Sequence, residues 1–591
     1  MRVLLALLCI LSAVPAGAQT IWVTGAVEDS ITHNPLPGVT VSVMNDTVKV
    51  ITNKYGLFRI VLPPGRTTLV FEHPKYISST IPVANVSRIL VSLSPRDKNA
   101  AAVANDIAVA KAKAKARFSH SSNPNYGNVG MGIHTFFDET YGTIYENKFV
   151  ATSKSATSNF ALDVDRAAYS NIRRFIRLKE PVPADAVRIE EMVNYFHYDY
   201  PLPDSNHLLA IHTRYAVCPW EPKHKLLQIA VRAKQVDIDS LPASNLVFLI
   251  DVSGSMGQRN KLPLLQAAFR VLVNNLRAKD RVAIVAYAGT PGVILPATSG
   301  DQKEKILNAI DYLSAGGATA GEAAIKMAYQ IAVENYIKDG NNRVIMATDG
   351  DFNVGQTSDQ EMEDLITQKK ESGVLLTCLG FGMGDYKDSK LETLSSKGNG
   401  NFAYIDNLEE ANKIFAREFG STLFTVAKDA RAQVWFNPEV VKVYRLIGYE
   451  NKVLKEDNSN GDNIAGGIIG AGHCAVALYE IIPHDTLPAD STLGQVKLWY
   501  REPSDTAVLS MERDINGRYT AFEDASGDFR FASSVALLGL LLRKSSYRGN
   551  GTTTMVRNIA KGSLGNDKGG YRHEFLKLVK ELKKSGNLQG L

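Results

Sequence analysis

The chain has 591 residues, too long for one hydrophobic core, and at roughly 100–200 residues per domain it reads as a multidomain protein. Its 45% hydrophobic and 21% charged residues are those of ordinary globular protein. A net charge of +5 is small for this length and makes no case for nucleic-acid binding.

Arg2 precedes the apolar run from Val3 to Val14, and Ala16-Gly17-Ala18 closes it with small residues. This is the pattern of a secretory signal peptide over residues 1–18, too short to span a bilayer. Cys9 stands inside the apolar run behind Leu8, where a lipidated cysteine would follow a small residue, so cleavage is expected after Ala18. Later, the most apolar stretch, Val535 to Leu542, ends at Arg543-Lys544, short of the ~18 residues a spanning helix needs. An exported protein is expected, periplasmic or associated with the cell envelope, with no transmembrane segment after cleavage.

Residues 19–95 alternate in short strands: Trp22 to Gly25, Val39 to Val43, Gly56 to Ile60 and Thr68 to Phe71. Asn34-Pro35 and Pro63-Pro64-Gly65 supply turns between them, which predicts a small β-sandwich. The strings V-T-G-x-V-x-D, P-L-P-G-V-T-V and G-x-F-x-I-x-L-P-P-G resemble the carboxypeptidase regulatory-like domain, a resemblance that implies a non-catalytic spacer or docking module. Residues 96–157, with Ala and Lys alternating from Ala108 to Arg117 and then Ser, Asn and Gly, read as a linker.

Residues 158–243 open with Asn159 to Asp165, continue through Arg166 to Arg177, and turn strand-rich from Leu208 to Val231. Asp163 and Asp165, two apart on a strand, share a face; capping of the following helix and pairing with its arginines outweighs a catalytic dyad.

Residues 244–422 alternate strand and helix. Leu246 to Ile250, Arg281 to Tyr287, Val344 to Ala347 and Val374 to Phe381 are apolar strands; Leu262 to Leu276, Thr319 to Tyr336, Glu361 to Lys370 and Leu408 to Phe419 have helical spacing. Such alternation predicts a doubly wound, mostly parallel sheet whose ligands bind beyond the carboxyl ends of its strands. Asp251-Val252-Ser253-Gly254-Ser255 stands at such an end, and so does Asp349 in Thr348-Asp349-Gly350. Small hydroxyls alternating with a carboxylate suit a magnesium-sized ion; the competing reading is a turn in which Ser253 or Ser255 caps the helix near Lys261. Gly316 to Gly321 is no phosphate loop, because no lysine follows in G-x-x-x-x-G-K order.

Asp251, Ser253, Ser255, Thr319 and Asp349 together resemble the metal-ion-dependent adhesion site of von Willebrand factor type A domains. The resemblance implies a Rossmann-like α/β domain holding one divalent cation, magnesium first and calcium or manganese as alternatives, with a partner's acidic side chain at the open position. The stretches Val187 to Phe196, Gly527 to Ala532 and Tyr571 to Phe575 are similar to the N- and C-terminal flanking regions of one bacterial family of such proteins.

Residues 423–591 carry strands at Ala432 to Tyr449, Ala475 to Glu480 and Val496 to Arg501, then helices at Phe531 to Leu542 and Arg572 to Leu582. With the strands before residue 244 they predict a flanking β-sandwich into which the α/β domain is inserted. His573-Glu574 makes no zincin motif, since Lys577 stands where histidine is required, and no G-x-S-x-G elbow is present. Cys218, Cys378 and Cys474 form no metal-type pairing; a Cys218–Cys474 bridge stays open. The expected function is a non-enzymatic, metal-dependent protein-binding module of the adhesion or scaffold type. A structural envelope scaffold whose site is vestigial or purely stabilising is the main alternative, and a hydrolase the third.

Overall fold

In the computed structural model, the residues described are 21–30, 36–52, 57–63, 67–83, 88–96, 139, 141–162, 165–237, 240–288, 291–316, 321–350, 359–382, 387–418, 420, 424–454, 466–485, 491–503, 505 and 507–585. Residues 1–18, where a signal peptide is expected, most of the expected linker, Asp163 and Thr319 lie outside them. The chain divides into two compact units, Met1–Phe137 and Asp138–Leu591.

In the first unit, Ile21–Asp29 pairs with Leu57–Leu62 and Arg88–Leu93, while a second sheet orders Lys49–Ile51, Thr40–Val43, Thr68–Glu72 and Ser79–Pro82. Alternate residues such as Val39, Val41 and Val43 face inward with Leu69, Phe71 and Ile60 to form one core. Period-two patterning thus gives the small sandwich directly.

The second unit holds the α/β domain. Its six strands run in the order Gly292–Ser299, Arg281–Tyr287, Ser244–Asp251, Asn341–Thr348, Leu375–Phe381, Phe402–Ile405. All pairs are parallel except the edge strand Gly292–Ser299. Ser244–Asp251 is central and buried throughout. Leu246, Phe248 and Ile250 pack with Leu265, Phe269 and Leu272 on one face; Val247 and Leu249 pack with Ile325 and Ala328 on the other. Apolar cover on both faces explains why this strand is hydrophobic at successive positions rather than alternating.

Around this domain lies a sandwich built from both flanks. One sheet orders Leu209–Val217, Lys225–Ala233, Cys474–Pro483, Val441–Ile447 and Val150–Ala151. The other orders Gly467–Gly470, Thr425–Phe436, Thr492–Arg501 and Leu509–Asn516, with Thr157–Ala161 also paired to Thr425–Phe436. Lys225–Ala233 hydrogen-bonds along Cys474–Pro483, strands separated in sequence by the whole α/β domain. Ordered structure begins before residue 158, because Val150–Ala151 and Thr157–Ala161 join sheet edges. A two-residue edge strand in a polar stretch leaves no periodicity to read.

The helix Gly527–Leu542 is buried on nearly every side, its residues sharing a core with Ile172, Met192, Val476, Leu578 and Val579. A Cβ on Gly539 would sit 2.7 Å from Ile189 Cγ1, so the absent side chain lets this helix close on Ile189–Asn194. The C-terminal helices therefore rest on both the N-terminal helices and the sandwich. Cys218 and Cys474 share that core as free, buried thiols, as Cys378 is in its own, so the bridge left open by the sequence is not formed. Burial pushes Cys474 up to about 12, which keeps it a neutral thiol. Among the described residues, no helix is long and apolar enough to cross a membrane.

Candidate metal centre

The central strand ends at Asp251, whose carboxylate is fully buried. Asp251 Oδ1 accepts the Ser253 amide at 2.9 Å, and Oδ2 accepts the Thr348 hydroxyl at 3.0 Å. Thr348 ends the neighbouring strand and is positioned by the parallel register that sets Ile250 opposite Ala347. Its hydroxyl also accepts the Gly350 amide at 3.1 Å, bending the chain beyond Asp349.

Ser253 and Ser255 face each other across a single 3₁₀ turn, Gly254–Gly257, with 3.0 Å between their hydroxyl oxygens. Neither serine caps a helix: Leu262–Asn274 has Lys261 at its N-cap and no side-chain cap bond. That removes the capping role the turn could have had. The Gly316 amide donates to the Val252 carbonyl at 2.8 Å, so the loop downstream is tied to the same turn. Thr319, three residues on, is outside the described residues. Of the five expected positions, four are therefore placed at one rim of the sheet.

Lys261 carries no signal in the sequence. Its ammonium, 3% exposed, donates to Asp349 Oδ2 at 2.8 Å, and Asp349 is 1% exposed. Gly382, at φ +77°, leaves room for the lysine stem, since a Cβ there would meet Lys261 Cγ at 2.4 Å. A lone lysine before a helix reads as solvated; only the fold brings it to the end of the Asp349 strand.

Burial raises the Asp251 carboxyl to about 6, against hydrogen bonds from Ser253 that lower it, and the nearby charge of Asp349 raises it further. Two buried acids side by side need positive charge. Lys261 supplies one unit as a stand-in cation, and the side-chain atoms that Asp251, Ser253, Ser255, Thr348 and Asp349 bring to the rim are oxygens. Such a set fits a hard divalent ion.

A second acidic group differs in kind. Asp165, Glu191 and Glu392 bring carboxylate oxygens within 4.8 Å of one another. Their oxygens are already engaged: Asp165 accepts the Phe402 amide, Glu191 accepts the Ala168 amide and Arg188, and Glu392 faces Lys452 and Asn451. Asp165 caps no helix, contrary to expectation, because Arg166 holds the N-cap of Ala167–Leu178 without a side-chain bond. Glu574 is spent on Arg173 and Arg177, and His573 on Asp567.

Family profiles match the carboxypeptidase regulatory-like domain over residues 22–93, von Willebrand factor over 135–228, the von Willebrand factor type A domain over 245–417, and the C-terminal part of YfbK over 421–585. Protein YfbK of Escherichia coli (strain K12) is 38% identical over 463 residues, covering 74% of this chain and 80% of the relative. This chain belongs to the YfbK family. Beyond YfbK, inter-alpha-trypsin inhibitor heavy chain H4 of Homo sapiens is 27% identical over 164 residues, 26% of this chain and 17% of that protein. A solved von Willebrand factor type A structure from Catenulispora acidiphila covers 65% of this chain and 97% of its own, at 16% identity and a TM-score of 0.37. Type A domains are commonly protein-interaction or adhesion modules, and commonly bind a divalent metal.

Proposed function

We propose that this chain is an exported, non-enzymatic protein-binding module that captures an acidic group of its partner through a divalent ion, magnesium first. Asp251, Ser253, Ser255, Thr319 and Asp349 would hold the ion, leaving it net positive charge for an incoming carboxylate. The observation that supports this reading is the pair of serine hydroxyls 3.0 Å apart beside the buried Asp251 carboxylate, neither of them capping the helix Leu262–Asn274. No nucleophile with an adjacent base accompanies them among the described residues, which favours docking over catalysis. The apolar leader supports export and a place in the periplasm or cell envelope.

Titration calorimetry with magnesium on the full chain tests it, beside pull-down from envelope extract with and without chelator. Wild type should release or absorb heat and gain stability; at 100-fold excess over Kd the gain is ~2.7 kcal/mol. Asp251→Ala should lose the heat, the gain and the capture together, and survival of all three would sink the reading. The Lys261 ammonium on Asp349 favours a second reading, a scaffold whose site is stabilised by its own lysine. Absence of magnesium heat in wild type would select it.

A further inference from the structure

Both crossings between the α/β domain and the sandwich meet at one cleft of about 380 Å³. Arg232, at the end of Lys225–Ala233, marks the outgoing connection; Arg417 and Glu418 mark the return, at the end of a single π turn, Lys413–Arg417. The Ala471–Cys474 turn of the sandwich closes one wall, and His197 another. Irregular turns of the π kind concentrate at functional sites.

Among the described lining residues, the buried side-chain atoms without a hydrogen-bond partner belong to two side chains, Arg232 and His473. Arg232 is 6% exposed, and its Nε and Nη1 find no hydrogen-bond partner among the described residues. His473, 8% exposed, has its Nδ1 bonded to Arg166. A guanidinium only donates, so Nδ1 accepts and the ring proton sits on Nε2, which is likewise without a partner among the described residues. Burial, and then the charges of Arg166, Lys413 and Arg232, hold this imidazole well below its usual range, so it stays neutral. Among the acids, Glu418 is taken by Arg166 and by Lys413 at 3.0 Å. Asp199 lines the cleft as well, from its exposed side. A buried guanidinium with two nitrogens left without acceptors is destabilising unless an anion meets it.

We propose that this cleft binds a phosphate-class oxyanion, free or as the head of a phosphate ester, with the Arg232 guanidinium and the His473 Nε2–H as its principal donors and Arg417 at its mouth. An acceptor-only, tetrahedral ligand satisfies donors arriving from several directions. The cleft shares no residue with the Asp251 rim, and it owes nothing to the metal reading.

The experiment is thermal melting and calorimetry of the full chain in chelator at constant ionic strength, titrated with inorganic phosphate and, in a separate arm, with glycerol phosphate. Wild type should show a saturable rise in melting temperature; a stronger response to glycerol phosphate identifies an ester as the ligand. Arg232→Met should weaken phosphate binding at least about tenfold, the loss of a charge-assisted contact. Without phosphate it should melt no lower than wild type, because a buried charge with unmet donors has gone. Arg417→Gln, on the exposed edge, should fold normally and weaken binding by a smaller factor. No saturable response in wild type, or an unchanged one in Arg232→Met or Arg417→Gln, overturns the proposal.

Discussion

At the rim of the parallel sheet, Asp251 and Asp349 are held by neutral hydroxyls, one amide and one lysine. At the joint between the α/β domain and the layers around it, carboxylates are held by arginines from the other side. Arg173 donates to Asp406 and Glu410 of the α/β domain and to Glu574 of the last helix; Arg188 donates to Glu191 beside it and Asp388 across the joint. The two regions contain the same acids but differ in what meets them. A carboxylate fixed by a bidentate arginine cannot pass its charge to a ligand, whereas one propped by hydroxyls still can. Proximity of acids alone, as in Asp165, Glu191 and Glu392, therefore does not distinguish a metal centre from a clasp.

The clasp should fail most severely when its centre is removed. Arg173 is 1% exposed and also contacts Tyr195 at 3.0 Å, so Arg173→Met leaves Asp406 and Glu410 buried without their arginine, while Glu574 keeps only Arg177. Breaking a buried pair this way costs ~3–5 kcal/mol. Denaturant unfolding should show that loss, while magnesium binding per folded molecule stays at its wild-type level. A loss of metal affinity in the folded variant would show that joint and rim are one system.

A subtler test uses pH. Glu191, on Ile189–Asn194, faces Arg188 on its own segment, Asp388 and Glu392 on the helix Asp388–Lys397, and Asp165 with Lys452 beyond. Glu191, Asp388, Glu392 and Asp165 thus gather around Arg188 and Lys452. Burial first raises Glu191 to about 7, against Arg188, while Glu392 is held low by Arg188 and Lys452. A folded pKa above the unfolded one means that the native state keeps a proton the unfolded chain has lost. The resulting stability is complete below about pH 4.5 and disappears as pH rises to about 7. Relative to Glu191→Gln, which mimics the protonated form, wild type should lose up to ~1.4 kcal/mol of stability for each pH step of one within that window. A wild type that gains on the variant as pH rises would mean that the Arg188 pair outweighs burial.

Sequence made much of this legible where periodicity or spacing carries the information. The run Leu246 to Ile250, hydrophobic at successive positions, announced a strand covered on both faces, and D-x-S-x-S marked the turn after it. The interrupted sandwich followed from strand-rich flanks. What sequence could not carry depended on distant partners. Gly292–Ser299, an antiparallel edge strand containing Pro296, lacks alternation because much of it is exposed. Lys261, Arg173 and Arg188 look like surface cations until the fold buries them. Thr348 looks like one more strand residue until its hydroxyl is found on Asp251.

The smallest effect is the most informative about the rim. Lys261 competes with any ion for Asp349 Oδ2, which it contacts at 2.8 Å. Lys261→Gln keeps most of the stem's length but removes the charge, so the folded apo protein should be somewhat less stable, with Asp251 and Asp349 repelling each other. The same repulsion favours a divalent ion, and removal of one like charge at this range should tighten magnesium binding by about tenfold, ~1.4 kcal/mol. Calorimetry on the two proteins at equal pH and ionic strength measures the ratio. Weaker binding in Lys261→Gln would instead make the lysine a support that holds Asp349 in place for the ion, and would move Lys261 from the competitor's side of the rim to the ligands' side.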